Sequence, residues 1–394
     1  MSGRIFLPIA VITLGLAACE RQLPTGGLLA KAGGSSLGRS LTGLKTDERQ
    51  LFDRGSAVFA TVFTPETGLG PLFNAASCAE CHEDPVAGAV GDEVEVHATS
   101  FQGAVCSDLS AVGGPVIQQF VTPALHNALG IDKEPVPALA TATAMRTTPS
   151  ILGFGLLDAV PEAEILARAD PNDVNGDGIS GRPNMTADGH VGRFGRKAQV
   201  ATLREFTAAA FVMEMGITNP ESAVEQTVGG NPLPRGVDPT PEPELSQADL
   251  DAADAFVRFL APPAPPGITV ERAASRQLFT QIGCAGCHVP ALTTGPNPVK
   301  VLSNQSVPAF TDLLLHDMGP TLADICLGQA LPAEFRTEPL MGLRFKSAFL
   351  HDGRATTVEQ AIDFHGGEAQ ASRDRFAGLP AGERAAIVRF LRGL

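Results

Sequence analysis

The sequence predicts a mainly α-helical protein of two related units, with long irregular loops and an insert that enlarges the first unit. One motif, C-x-x-C-H, occurs twice, at Cys78–His82 and at Cys284–His288. Each copy is followed, further along, by a helical pattern that ends on Val-Arg-Phe-Leu, at Val257–Leu260 and at Val388–Leu391. Residues 262–266 (PPAPP) separate the units as a stiff linker. With 42 glycines and 31 prolines, much of the remaining chain should be irregular.

The repeated motif carries a specific chemistry. C-x-x-C-H is the attachment sequence of c-type haem, in which two thiols bind one porphyrin and the adjacent histidine becomes the proximal iron ligand. A zinc site would need a second pair of ligands near each motif, and a thioredoxin-like C-x-x-C would need a βαβ pattern. Neither is visible, so we expect two cytochrome c-like haem domains. Their covalent haems are held by Cys78, Cys81 and His82 and by Cys284, Cys287 and His288.

The N-terminal residues 1–18 form a secretory signal pattern, because one basic residue precedes an apolar run too short to span a membrane. Its end, Leu16-Ala17-Ala18-Cys19, resembles the lipobox of bacterial lipoproteins, which implies lipid on Cys19. An ordinary signal peptide, cleaved one or two residues earlier, is the alternative. Glu20 after this cysteine favours the periplasmic face of the outer membrane. Residues 19–44 should be a flexible tether.

The first unit is predicted at residues 45–261. Apolar residues at helical spacing predict a helix over Asp47–Phe63, ahead of the first motif. The insert should contain two more helices, over Leu156–Ala169 and Leu203–Met215. We expect β structure only as a short hairpin near Glu93–His97.

The second unit, predicted at residues 267–394, repeats this plan in a shorter form. A helix over Arg272–Phe279 leads into the second motif. A helix over Pro380–Leu391 closes the unit, as one over Gln247–Leu260 closes the first.

Charge and cysteine use limit the partners and the compartment. The formal net charge is −14 and no basic stripe is present, which argues against nucleic acid and favours a partner with a basic or apolar patch. Lipid and haem attachment account for five of the seven cysteines and leave Cys106 and Cys326. These two form either a disulfide, as an oxidising compartment permits, or two buried thiols.

A calcium-like loop lies in the insert. Asp173, Asn175 and Asp177 match the first, third and fifth ligands of a D-x-[DN]-x-[DN]-G loop. The twelfth position is Asn184 instead of the usual bidentate glutamate. We therefore expect either a Ca²⁺ site with altered closure or a solvated turn rich in Asx residues.

Several longer motifs resemble those of one known family. The chain is similar to the di-haem oxidoreductases, also labelled thiol oxidoreductases, within the superfamily of bacterial di-haem cytochrome c peroxidases and MauG-like enzymes. The motifs are SCAECH at 77–82, GFGLLDAVPEAEIL at 153–166, GRFGRKA at 192–198, MEMGIT at 213–218, LLLHDMGP at 313–320 and KSAFLHDGRATTVEQAIDFHGGEA at 346–369. The resemblance covers nearly the whole chain after the signal, although no residue supports thiol chemistry in particular.

The resemblance implies a distal ligand for the second haem. In the peroxidases an axial methionine follows the HDG motif, and the matching segment here, Ala361–Gly366, contains His365. A second imidazole in place of a thioether lowers the reduction potential of a haem. By the same match, His351 lies near this haem, and Met318 and His316 are the alternative ligands.

The first haem has no equally clear sixth ligand. The peroxidases carry a distal histidine some sixteen residues beyond the proximal one, and His97 lies fifteen beyond His82. His190 and an open, five-coordinate iron, which a peroxidatic haem needs, are the alternatives.

The GRFGRKA motif contains three cationic residues. Arg193, Arg196 and Lys197 could meet haem propionates or stabilise a leaving oxygen during O–O cleavage. An ordinary solvated basic turn is the alternative. With His97, Arg193 and Arg196 are the catalytic candidates.

The sequence supports two functional hypotheses. The first is a peroxidase-like enzyme in which a small redox protein such as cytochrome c supplies electrons through the second haem to the first, where peroxide or another substrate reacts. The second is a non-enzymatic electron carrier or redox sensor with both haems six-coordinate. The chain has no Trp and no Tyr, so radical chemistry of the MauG type, which uses these side chains, is disfavoured.

Overall fold

The computed structural model describes residues 37–264, 267 and 269–394. The predicted signal, most of the predicted tether and the end of the predicted linker lie outside the described residues. All the described residues belong to one compact unit, and the domain limits at 45–261 and 267–394 stay predictions. None of the described helices has the length and apolar character that crossing a membrane requires.

Helices form the framework around both motifs. In chain order they are α1 Thr46–Phe59, α2 Cys78–Cys81, α3 Pro123–Leu129, α4 Phe154–Asp158, α5 Glu162–Leu166, α6 Leu203–Met215, α7 Gln247–Phe259, α8 Val270–Gln281, α9 Val358–Asp363, α10 Gln370–Gly378 and α11 Ala381–Leu391.

The leading and closing helices of each half pack against one another. The Phe256 ring of α7 lies 5.1 Å from the Phe52 ring and 4.8 Å from the Phe59 ring of α1. The helices approach closely at Gly55, where a Cβ would stand 1.8 Å from the Ala252 carbonyl oxygen. In the second half, Phe279 of α8 lies 5.7 Å from Phe390 of α11.

One predicted helix is divided in two. The segment expected to be helical over Leu156–Ala169 consists of α4 and α5, and Pro161 stands between them as the N-cap of α5. Proline disrupts the helix that precedes it and is tolerated where a new one begins. By contrast, α6 has the predicted bounds, because Thr202 and Glu205 form a capping box at its start.

Strands are more extensive than predicted. They are β1 Leu72–Phe73, β2 Val94–Gln102, β3 Val105–Ser107, β4 Val116–Ile117, β5 Phe120–Val121, β6 Ala142–Thr147, β7 Leu292–Thr293, β8 Ser306–Val307, β9 Leu315–Asp317 and β10 Glu334–Arg336. The long strand β2 pairs antiparallel with β3, β4 and β6, while β1 with β5, β7 with β8 and β9 with β10 form two-stranded sheets. With 33% helix and 14% strand the fold is mixed, so "mainly α" was too narrow.

Each half has its own hydrophobic cluster, but the cluster of the first half includes residues from both sides of the linker. One cluster surrounds α1 and α7, and it includes Leu302, Val307 and Ala309 from beyond the linker. A second cluster surrounds α8, α9 and α11. Each cluster lies beside one C-x-x-C-H motif, with Cys78 packed against the first and Cys284 against the second.

Candidate haem sites

The first motif is a single helical turn, α2, whose start is capped by Ser77. The Ser77 hydroxyl accepts a hydrogen bond from the Glu80 backbone N–H, 3.1 Å away. His82 follows the turn and donates from Nδ1 to the Ala89 carbonyl oxygen at 3.2 Å. Its ring lies 6.2 Å from Phe59 at the end of α1. Burial lowers the pKa of His82, so the ring is neutral and Nε2 remains to bind a metal.

The second motif repeats this arrangement with a different backbone. Gly283 takes a left-handed conformation after α8, and Cys284–Gly286 forms one 3₁₀ turn. His288 donates from Nδ1 to the Phe310 carbonyl oxygen at 2.9 Å, and its ring lies 6.5 Å from Phe279 near the end of α8. Burial is the main cause that lowers the pKa of His288 to about 4. Both motif histidines thus use Nδ1 for a carbonyl and keep Nε2, as metal-binding histidines do.

His365 stands opposite His288. It follows α9, and its Nδ1 donates to the Ala361 carbonyl oxygen at 2.7 Å. The His288 and His365 ring centroids are 6.5 Å apart. Since an imidazole nitrogen binds a first-row metal at about 2 Å and the ring centroid lies about 1.2 Å behind it, two imidazoles on one iron have centroids about 6 Å apart. The observed spacing therefore fits one iron between these rings.

A cavity of about 210 Å³ contains both rings and both thiols of the second motif. Its walls are largely apolar, with side chains that include Phe279, Leu343, Phe349, Ile362, Phe376 and Leu391. An apolar cavity with two facing imidazoles and two thiols suits a haem.

His351 also lines this cavity. Its ring stacks on Phe335 at 4.2 Å, and its Nε2 lies 3.1 Å from an oxygen of Asp324. Asp324 also pairs with Arg146 at 2.6 Å and with Lys197 at 3.3 Å. His351 is therefore fixed by a buried ionic network.

Beside the first motif, His97 and Glu95 form a pair on β2. His97 Nε2 lies 2.9 Å from Glu95 Oε2, while His97 Nδ1 is buried without a hydrogen-bond partner among the described residues. Burial raises the pKa of Glu95, but the hydrogen bond from His97 and the nearby Arg196 cation outweigh it, so the pKa is lowered overall. Glu95 is thus an ionised group close to the first motif, and the sequence patterns did not point to it.

A comparison of the sequence with family profiles decides the family. The profile described as "Di-haem oxidoreductase, putative peroxidase" matches residues 140–394, well over half of the chain. The chain belongs to this family. The match includes the second motif and His365 and begins beyond the first motif.

Solved structures similar to this di-haem oxidoreductase are distant from it. A MauG-like protein associated with microbial copper homeostasis is 15% identical over 89% of this chain and 89% of its own, with a TM-score of 0.41. The diheme peroxidase BthA from Burkholderia thailandensis is 17% identical over 88% and 86%, with a TM-score of 0.39. Hydrazine synthase from Kuenenia stuttgartiensis is 14% identical over 96% and 100%, with a TM-score of 0.40. No curated protein sequence matches the chain.

The alternative histidines of this di-haem oxidoreductase are already engaged. His316 is buried between Asp312, 2.9 Å from its Nε2, and Glu368, 2.8 Å from its Nδ1. His190 is exposed and pairs with Glu162 at 3.0 Å. His316 and Met318, the two alternatives to His365, both line the second cavity. In the described residues only Met318 has a side chain that no ion pair holds.

The three cations of GRFGRKA have separate placements, and none forms part of a solvated turn. Arg193 is buried and donates to the carbonyl oxygens of residues 157, 158 and 160. Lys197 is fully buried, with Nζ 3.6 Å from the centre of the Phe335 ring. Arg196 lines the second cavity and also acts on Glu95 near the first motif. Only Arg196 therefore lies where it can act on a haem site.

The calcium-like loop lies beside the second motif. Its Asp173, Asn175 and Asp177 oxygens accept backbone N–H bonds within the loop, and Asn184 is buried elsewhere, bonded to the carbonyl oxygens of Lys197 and Leu327. Just after the loop, Ser180 Oγ donates to Glu368 at 2.8 Å, and Glu368 bonds His316. Calcium binding here stays a prediction, but any effect of it should reach the second site.

The remaining two cysteines are joined. Cys106 of β3 and Cys326 form a disulfide with Cα atoms 5.9 Å apart, at a sequence separation of 220. Of the two possibilities that the sequence left open, the structure contains the disulfide. It connects the β2 sheet of the first half to the segment that carries Asp324.

Proposed function

We propose that this di-haem oxidoreductase is an exported, peroxidase-like c-type cytochrome. Cys78 and Cys81 would hold one covalent haem and Cys284 and Cys287 the other. Bound haem supplies one-electron transfer and, where its iron has an open position, reductive cleavage of a peroxide O–O bond. Family membership and the matched packing of His82 and His288 support two haems.

The difference between the two sites carries the proposed division of labour. At the second site His288 and His365 face one another at the spacing of two axial ligands, which suits transfer of electrons without substrate. We therefore assign electron arrival to the second site. The donor would be a small redox protein such as cytochrome c, and the acidic chain favours a basic docking patch.

At the first site the neighbouring groups suit proton transfer. Glu95 is ionised, and its contact with His97 gives a proton a path between carboxylate and imidazole. Glu214, whose pKa burial and the charge of Glu95 raise well above the usual value, can hold a proton nearby. Reduction of peroxide consumes protons, so we assign the reaction with substrate to this site.

The second candidate function is a non-enzymatic electron carrier. It is favoured by the buried, unpartnered Nδ1 of His97, a free imidazole nitrogen that could complete the coordination of the first haem. The spin state of the purified holoprotein, oxidised and half-reduced, separates the two. A high-spin signal that responds to cyanide, with peroxide turnover from reduced cytochrome c, supports the enzyme. Low-spin haems at every redox level without turnover would establish the carrier.

Membrane attachment and calcium binding belong to the same proposal. Lipid on Cys19 would place the protein at the periplasmic face of the outer membrane, and the disulfide agrees with an oxidising compartment. Palmitate labelling that disappears in a Cys19→Ala variant tests the anchor. Asp173, Asn175 and Asp177 would bind Ca²⁺ beside the second site.

A further inference from the structure

One wall of the second cavity carries a cluster of charges that has no role in the function proposed so far. Arg196, Arg336, Lys346 and Glu338 all line the cavity. Glu338 lies at its centre, because Arg196 Nη1, Arg336 Nη2 and Lys346 Nζ each stand 2.9 Å from one of its carboxylate oxygens. Arg196 comes from a part of the sequence far from Arg336 and Lys346, so the fold has brought the three cations together.

The cluster is buried and its charge is unbalanced. The side chains of Arg196, Arg336 and Lys346 are 12%, 4% and 13% exposed. Three cations and one carboxylate leave an excess of two positive charges. Burying charge without a counter-ion is strongly unfavourable, so a site of this kind requires an anionic partner.

The neighbouring groups do not supply that partner. The Gly195 carbonyl oxygen accepts from Arg336 and the Thr147 carbonyl oxygen accepts from Arg196, but these dipoles carry no net charge. Two further carboxylates act on the cluster from a distance, but Asp312 is paired with His316 at 2.9 Å and Glu95 with His97 at 2.9 Å. Within the described residues no other carboxylate pairs directly with the three cations, so the cluster keeps an excess of two positive charges.

We propose that Arg196, Arg336 and Lys346 bind the two propionates of the second haem, with Glu338 holding the three cations in place. The inference rests on the proposed haem at Cys284 and Cys287. Two carboxylates match the excess of two positive charges, and guanidinium groups bind carboxylates in a fixed bidentate geometry. Because the same cations line the cavity that contains His288 and His365, they would also favour the reduced haem, which carries one positive charge less.

The test is the reduction potential of each haem in holoprotein variants, measured by spectroelectrochemistry. Arg336→Gln and Lys346→Met should each lower the potential of the second haem, whereas Glu338→Gln should raise it. For one unit charge in a partly buried site, Coulomb's law gives a change on the order of tenfold in the reduction equilibrium. A tenfold change corresponds to 59 mV for one electron. Opposite signs exclude general loosening of the site, which would move all variants in the same direction.

Controls keep the inference separate from the function on which it rests. Arg204→Gln removes an arginine that pairs with Glu221 and Asp251 away from the cavity, and should leave both potentials unchanged. Pyridine haemochrome spectra count covalent haems, so failure of the proposed function appears as missing haem. If both haems are attached and the potential of the second haem is unmoved in Lys346→Met and Glu338→Gln, the inference is wrong. If Arg336→Gln or Lys346→Met does not accumulate, Glu338→Gln alone decides: the inference requires its second haem to have a raised reduction potential.

Discussion

Asp324 offers a quantitative test of the ionic network beside the second cavity. Its side chain is 9% exposed and contacts Arg146, Lys197 and His351. Burial raises its pKa, but the hydrogen bond from His351 and the charges of Arg146 and Lys197 outweigh this and hold the pKa well below its usual range. His351 itself is neutral, since burial lowers its pKa. Replacing Asp324 with asparagine would leave two buried cations without a counter-charge.

The expected loss of stability depends on the hydrogen bonds that the two cations retain in the variant. Removing one partner of a buried ion pair costs about 3–5 kcal/mol. Lys197 retains its bonds to the carbonyl oxygens of Leu331, Pro332 and Glu334, and Arg146 retains one to the Met145 carbonyl. We therefore expect Asp324→Asn to lower the free energy of unfolding by about 3 kcal/mol, the lower end of that range.

Urea denaturation of the holoprotein at neutral pH measures this change. Asp374→Asn is the matched control, because Asp374 is exposed and pairs with a single arginine, and such surface pairs are worth about 1 kcal/mol or less. A depressed carboxylate pKa stabilises the protein above the unfolded pKa and loses its effect as pH falls, so the difference between wild type and Asp324→Asn should shrink below about pH 4. If the two substitutions lowered the free energy of unfolding equally, the network around Asp324 would contribute no more to stability than a surface ion pair.

Three further outcomes are expected. His365→Ala should convert the second haem from low spin to high spin in the oxidised spectrum, whereas His126→Ala, at an exposed histidine, should not; an unchanged low-spin signal in His365→Ala would reject the ligand. Calcium added to chelator-treated holoprotein should raise the melting temperature and shift the spectrum of the second haem, and Asp173→Asn should abolish both; a protein indifferent to calcium has no such site. Burial raises the pKa of Glu134 to about 8 from 4.5, so its contribution to stability is full below pH 4.5 and lost as pH rises towards 8. The free energy of unfolding of Glu134→Gln should not show this loss as pH rises. If the curves of unfolding free energy against pH are parallel for wild type and variant, the burial argument is refuted.

Local signals predicted the elements that they control. The helix Leu203–Met215 was predicted with its observed bounds, since its apolar spacing and its Thr202 cap both act within a few residues. The strand Val94–Gln102 was recognised only at its start, because its buried residues do not alternate and its stability comes from partners as distant in sequence as Thr147, which pairs with Val94. Propensity gives no information about such pairing.

The same limit applies to the sites. The motif histidines are recognisable because the chemistry of haem attachment fixes their spacing in the chain. The partners of Glu338 lie at positions 196, 336 and 346, and no spacing rule connects them. Asn184 is a similar case, since the loop pattern showed only that it replaces the closing glutamate, whereas the fold uses it to bind two backbone carbonyls.

The disulfide between Cys106 and Cys326 has a consequence for how the chain can be cut. The predicted linker at residues 262–266 lies between these two positions, so a protease nick there would yield two fragments that migrate together on a non-reducing gel and separate only after reduction. A fragment starting at residue 267 would leave Cys326 without its partner and would expose Leu302 and Val307, which belong to the core of the other half. The two halves are thus held together by the disulfide and by a shared core, and neither should be produced as an independent domain without the other.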